Sequence, residues 1–306
     1  MNIGLHDSDK TRFPNYALMK ISAWHKSRGD SVEWWNPLMQ YDRVYSSKVF
    51  TFTEENPYLP ENTIKGGTGY GDYSELPADI DAMFPDYSIY PNIDYAIGFL
   101  TRGCIRKCKW CCVPKKEGDI RPYRTWQEVK RPDSRKIVFM DNNILGSAYG
   151  IEQMESMIGH DIRIDFNQGM DARLITSEIA GIIGRLKWLN MIRIACDTEE
   201  MLPICLEKAE LLKQNGIRAY RIFVYLLVQD IPSAERRAIA LREAGLQPFA
   251  QPYRDFTTNA EPAQEFKRFA RWVNDKAVFK TVKTFAEYKN YAELRKMRLN
   301  DTFSVL

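Results

Sequence analysis

Residues 95–114 read YAIGFLTRGCIRKCKWCCVP, a short apolar run that breaks at Gly103 and leads into four cysteines within nine positions. A brief apolar segment ended by glycine has the pattern of a buried strand. The chain after it alternates regularly. Strand patterns cover Tyr95–Leu100, Lys136–Met140, Ile162–Phe166, Met191–Cys196, Ala219–Leu227 and Gln247–Pro252, with helical patterns at Glu152–Ile158, Ser177–Leu186, Met201–Gln214 and Ser233–Ala244. Strands alternating with helices predict a parallel sheet joined by right-handed crossovers. Six strands fall short of the eight of a closed barrel. The expected fold class is therefore α/β, with a partial (β/α)6 TIM-type barrel over residues 95–260.

Upstream, Asn2–His6 reads as a strand ended by the polar turn Asp7-Ser8-Asp9. Pro14 suits a first helical turn, and Leu18, Ile21 and His25 follow at helical spacing. Gly29-Asp30 stops the helix, and Ser31–Trp35 returns as a strand. This βαβ unit predicts a small Rossmann-like domain over residues 1–94. Within it Val44–Thr53 is β-prone and residues 66–71 form a glycine-rich turn. Helical patterns at Pro262–Val273 and Phe285–Met297 make residues 261–306 a basic, aromatic C-terminal segment.

The composition is that of an ordinary globular protein: 44% hydrophobic and 27% charged residues. That excludes a disordered chain. No run of about 18 apolar residues is present, which excludes a spanning helix, and no membrane partner is expected. The polar N-terminus lacks a secretory core, so a cytoplasmic location with reduced cysteines is expected. The net charge of +3 is unevenly spread. Residues 1–97 hold 14 acids and 8 bases, residues 102–136 hold 4 and 12, and residues 265–298 hold 4 and 10. Two basic blocks can engage a phosphate-bearing partner or form solvated faces. Phe266, Phe269, Trp272, Phe279, Phe285, Tyr288 and Tyr291 lie in the last block, placed either to stack on bases or to fill a core.

Cys104, Cys108 and Cys111 have the spacing C-x3-C-x2-C. So short a loop can wrap three thiolates around a soft-metal centre. Arg102, Arg106, Lys107 and Lys109 would favour thiolates there. Three cysteines on a cube of four irons leave one iron open to a small chelating molecule. A structural zinc needs four closed ligands; Cys112 could supply the fourth, although adjacent side chains point apart. Cys196 and Cys205 fall in a strand and a helix and read as buried thiols.

Gly103-Cys104-x3-Cys108-x-Trp110-Cys111, placed after the first strand of a six-fold β/α pattern, resembles the radical S-adenosylmethionine (radical SAM) superfamily. The resemblance spans about residues 95–260. It implies a [4Fe-4S] cluster on Cys104, Cys108 and Cys111 with S-adenosylmethionine as the molecule at the open iron. It also implies a one-electron donor, and an enzyme that generates a 5′-deoxyadenosyl radical to modify an unidentified substrate. Trp110 would lie against the adenine, or serve as packing. Asp141, Asn142 and Asn143 occupy the place where such enzymes hold the methionyl amine, usually with a Gly-Gly-Glu type sequence that this chain lacks; helix capping is the other reading. Gln168 and Arg173 follow the third strand, Arg173 as a carboxylate partner or a surface ion pair. Asp197 stands where relatives place a glutamate near the ribose, with a shorter reach.

Trp110-Cys111-Cys112-Val113-Pro114, with Gly118 and Arg121, is similar to the cluster loop of methylthiotransferases. Residues 1–95 hold no cysteine for a second cluster, so methylthio transfer is not expected. The N-terminal βαβ followed by Gly66-Gly67 resembles a shortened cobalamin-binding domain. Its Asp-x-His-x-x-Gly motif is missing, and cobalamin is not expected. A nucleic acid or nucleotide is the leading substrate class, with a small metabolite and a peptide as the other two. The reading of a different kind is a zinc-stabilised nucleic-acid-binding module without catalysis.

Overall fold

The N-terminal sheet is built on a helical crossover that begins at a capped helix. Asn15 caps the first helix, its side chain accepting the Leu18 amide at 3.2 Å. Strand β1 (Asn2–Asp7), helix α1 (Tyr16–Ser27) and β2 (Ser31–Trp34) then form a parallel crossover, and β3 (Arg43–Ser47) and β4 (Ile64–Gly66) add on the other side of β1. The strand order is β2-β1-β3-β4, all parallel. Ile3, Leu5, Leu18, Ile21, Tyr45 and Ile80 form its core. His25 is buried between Asp30 at 2.6 Å and the Tyr45 hydroxyl at 3.0 Å, a packed residue. The structure is a computed structural model, which describes residues 1–255, 258 and 260–288.

After α2 (Ala78–Asp81) come β5 (Ala96–Gly98), β6 (Thr101–Arg102), α3 (Val113–Lys116), β7 (Arg121–Pro122), α4 (Trp126–Val129), β8 (Lys136–Phe139), α5 (Ala148–Ser156) and β9 (Arg163–Phe166). Strands β5, β8 and β9 form a second parallel sheet in that order. Strands β6 and β7 pair antiparallel, Thr101 against Pro122 and Arg102 against Arg121. These elements belong to one compact unit, Met1–Asn167.

A second compact unit starts at Gln168. It holds α6 (Ser177–Arg185), β10 (Ile192–Ala195), α7 (Met201–Gln214), β11 (Ile222–Val228), α8 (Ile231–Glu243), β12 (Gln247–Pro252), α9 (Gln264–Asn274) and α10 (Lys276–Thr281). Strands β10, β11 and β12 form a parallel sheet. Asp230 starts α8 by accepting the Ser233 amide at 2.8 Å. The fold is thus α/β with parallel sheets, and all six expected strands of the second half are present in chain order. Among the described residues no helix is long and apolar enough to cross a membrane.

One expectation changes and one open alternative is decided. The β-prone run Val44–Thr53 is a strand only to Ser47. Asp9 reaches across and accepts the Val49 amide at 2.6 Å and the Phe50 amide at 3.3 Å, turning the chain out of the sheet. Among the aromatics of the last basic block, Phe269, Trp272, Phe279 and Phe285 are buried against one another, with ring centroids 4.9–5.8 Å apart. They are core, as their helical spacing allowed, and cannot stack on a base. The expected helix Phe285–Met297 lies mostly outside the described residues, as does Tyr291.

Candidate functional site

The loop that carries the cysteines, residues 103–120, is closed at its base by the β6/β7 pairing. Gly103 has φ +82°, and a Cβ there would meet the Asp119 carbonyl oxygen at 2.2 Å. Only glycine lets the two ends of the loop approach this closely. The Cys104 amide then donates to the Gly118 carbonyl at 3.2 Å.

One acidic residue holds the base of the loop together. Glu117, nearly buried, accepts the Arg102 guanidinium through Nε at 3.1 Å and Nη2 at 2.9 Å. The same carboxylate accepts the Gly103 amide at 3.0 Å and the Asn142 side-chain amide at 2.7 Å. Arg121 donates to the Glu117 carbonyl at 2.9 Å. The hairpin is therefore tied both to itself and to the end of β8. Sequence reading passed over Glu117. The available signal was its position, as one of 4 acids in a block with 12 bases.

Asp141 lies beyond β8, wholly buried. Its carboxylate accepts the Leu100 amide at 3.1 Å, the Thr101 amide at 2.5 Å and the Thr101 hydroxyl at 2.7 Å. Burial raises its pKa from 3.8 to about 6, against the opposing pull of those donors. In this structure Asp141 fixes the strand ends from which the cysteine hairpin springs.

Hydrogen-bond donors surround the sulfurs. The Arg106 amide points at Cys104 Sγ at 3.3 Å, and the Val113 amide at Cys111 Sγ at 3.5 Å. Asn143 donates through Nδ2 to Cys104 Sγ at 3.6 Å. Its Oδ1 is buried and has no hydrogen-bond partner among the described residues. A buried orphan acceptor costs about 1–3 kcal/mol, which a donor on a bound molecule would recover. Cys111 is the exposed member of the group, yet the atoms crowding its sulfur, and then the thiols of Cys112, Cys108 and Cys104, push it up to about 11. Deprotonation there requires a compensating cation, which a bound metal supplies. Cys112 begins the turn of α3, its carbonyl accepting the Lys115 and Lys116 amides at 3.1 and 3.0 Å. Trp110 is half-buried in the same loop. Among the described residues, no three His, Cys, Asp or Glu side chains are disposed to hold a metal ion as they stand. The donor set nonetheless fits an iron–sulfur centre: soft ligands, amide hydrogens directed at sulfur, and an unsatisfied acceptor beside Cys104.

Much of the first basic block is already paired. Arg102 faces Glu117 and lies over the Phe99 ring at 4.1 Å. Arg121 meets Glu75, Arg124 meets Glu128 at 3.6 Å, and Arg135 meets Asp161. Lys107 and Lys109 stay exposed on the loop.

The remaining expected site residues belong to the second unit. Gln168 is exposed. The Arg173 fork is closed on Asp171, Nε to Oδ1 at 2.7 Å and Nη2 to Oδ2 at 2.9 Å, the ion pair its sequence position allowed. Asp197 follows β10, half-buried. Cys196 and Cys205 are fully buried as expected, the Cys205 thiol donating to the Ala195 carbonyl at 3.2 Å. Arg237, also buried, donates to the carbonyls of Cys196 at 2.6 Å and Leu227 at 3.0 Å.

The chain matches no family model. Nor does any curated protein match it.

Proposed function

We propose that this protein is a radical SAM enzyme of the partial (β/α)6-barrel class whose first unit carries the cluster. The observation that carries this reading is the closed hairpin, which holds Cys104, Cys108 and Cys111 in one loop with amides aimed at the sulfurs of Cys104 and Cys111. Cys104, Cys108 and Cys111 would hold a [4Fe-4S] cluster that, once reduced by an external one-electron donor, would supply the electron for cleaving S-adenosylmethionine to methionine and a 5′-deoxyadenosyl radical. The chain's own work is positional. Glu117 and Asp141 anchor the hairpin on the ends of β5 and β8. The orphan Oδ1 of Asn143 is an acceptor for an ammonium beside Cys104. Lys107 and Lys109 offset the negative charge of a thiolate-bound cluster.

The test is anaerobic reconstitution with iron and sulfide, followed by S-adenosylmethionine and dithionite. About four irons per chain, a brown colour and 5′-deoxyadenosine are expected. A single tightly held zinc, with no colour and no 5′-deoxyadenosine, would replace this reading with a zinc-stabilised binding module.

A further inference from the structure

The second unit's sheet has two unlike faces. Ile192, Ile194, Ile222, Val224, Leu226 and Val228 are fully buried on one, where α8 packs against β11. The pleat sends the alternate residues to the other face. The strand register sets them in rows. Arg193 lies beside Phe223 and Phe223 beside Gln247; Ala195 lies beside Tyr225 and Tyr225 beside Phe249; Leu227 lies beside Gln251. All of these are half-buried except Gln251, which is exposed. The three rings form one cluster. Phe223 and Tyr225 have centroids 5.2 Å apart, Phe223 and Phe249 5.3 Å, and Tyr225 and Phe249 6.2 Å. The Arg193 guanidinium lies 5.7 Å from the Phe223 ring centre.

We propose that this face is the binding wall for the base of a mononucleotide, the substrate class of the enzyme described above. The inference rests on that reading. Three strands span about 10 Å and two rows about 7 Å, the footprint of one base. Half-buried rings at T-shaped and tilted angles offer both faces and edges to a planar heterocycle, and stacking of this kind tolerates any base. The amides of Gln247 and Gln251 each carry donors and an acceptor, which suit the edge of a base. Arg193 is the cation of the wall, and a guanidinium matches a phosphate in geometry and charge. An apolar peptide would leave the cation unmatched, and an acidic one would leave the ring cluster without a planar partner.

The test uses the full chain without reductant, so that binding is read independently of cluster chemistry. The probes are 2-aminopurine ribonucleoside and its 5′-monophosphate, whose fluorescence falls on stacking. Quenching is expected, with the monophosphate bound more tightly than the nucleoside. Phe223→Leu and Tyr225→Leu weaken both probes at least fivefold, in line with loss of one stacking contact. Arg193→Gln, at the end of a row, retains the rings and removes only the advantage of the monophosphate. Absence of quenching, quenching untouched by all three variants, or binding seen only with single-stranded RNA would overturn the proposal. So would complete displacement by S-adenosylmethionine, which would assign the wall to the cofactor's adenine. If the wall fails while reconstituted protein forms 5′-deoxyadenosine, this inference falls alone; if 5′-deoxyadenosine does not form, the reading beneath it falls.

Discussion

Replacing Glu117 by alanine removes the keystone of the cysteine hairpin. Four donors converge on this carboxylate: two from Arg102, the Gly103 amide and the Asn142 side chain. The Glu117 side chain is only 6% exposed and that of Arg102 19%. Breaking one partner of a buried ion pair costs about 3–5 kcal/mol, mostly because the other charge stays behind unpaired. Arg102 retains some solvent and the face of Phe99, which places the loss near the lower end. The expected destabilisation of Glu117→Ala is about 3 kcal/mol. Glu117→Gln keeps one acceptor oxygen for Gly103 and Asn142 but leaves the Arg102 charge unpaired, and should recover only about 1 kcal/mol of that loss. Urea unfolding followed by circular dichroism reads both values, and iron uptake by the two variants should fall in the same order. A Glu117→Ala protein that unfolds within about 0.5 kcal/mol of the parent would refute the argument, because a surface contact can account for no more than that.

Other consequences follow from the same geometry. Asp141, raised to about 6 from 3.8, binds its proton more tightly folded than unfolded. Its contribution is therefore favourable at low pH and is lost as pH rises through about 6, a swing of about 3 kcal/mol. Asp141→Asn should flatten the stability profile between about pH 4 and 6 by that amount, and a superimposable profile would contradict it. Gly103→Ala should abolish cluster loading and cost at least about 3 kcal/mol, since φ +82° and a 2.2 Å clash with backbone leave no room to adjust; normal iron content and stability would show that the hairpin can open. Trp272→Ala should cost about 4 kcal/mol as a core truncation yet leave nucleotide binding per folded molecule unchanged, because its ring is fully buried. A selective loss of binding would restore the stacking role that the structure denies it.

The strands were legible wherever hydrophobic period and turn residues agreed. Gln247–Pro252 and Met201–Gln214 match their sequence patterns end to end. Val44–Thr53 did not, because its outcome depends on Asp9, some 40 residues earlier, capturing two amides. Propensity is local and cannot register such a contact. The candidate site divides in the same way. Three cysteines at fixed short spacing announce themselves. Glu117 does not, since its role exists only once β6 and β7 pair and bring Arg102, Gly103 and Asn142 to it. Asp141 was singled out for a cofactor; its two oxygens meet the amides of Leu100 and Thr101, a contact set by the end of a neighbouring strand. For Arg173, Asp171, two residues away, takes both arms of the guanidinium, the ion pair that was one of its two readings.

The most direct test of the proposed three-thiol centre is iron and acid-labile sulfide, counted per folded chain after anaerobic reconstitution of four single variants. Cys104→Ala, Cys108→Ala and Cys111→Ala should each lose most of the iron that the parent holds, while Cys112→Ala, whose role here is the turn of α3, should keep it. Equal loss in all four would point instead to a closed four-thiolate site, and full retention in any of the first three would contradict the account.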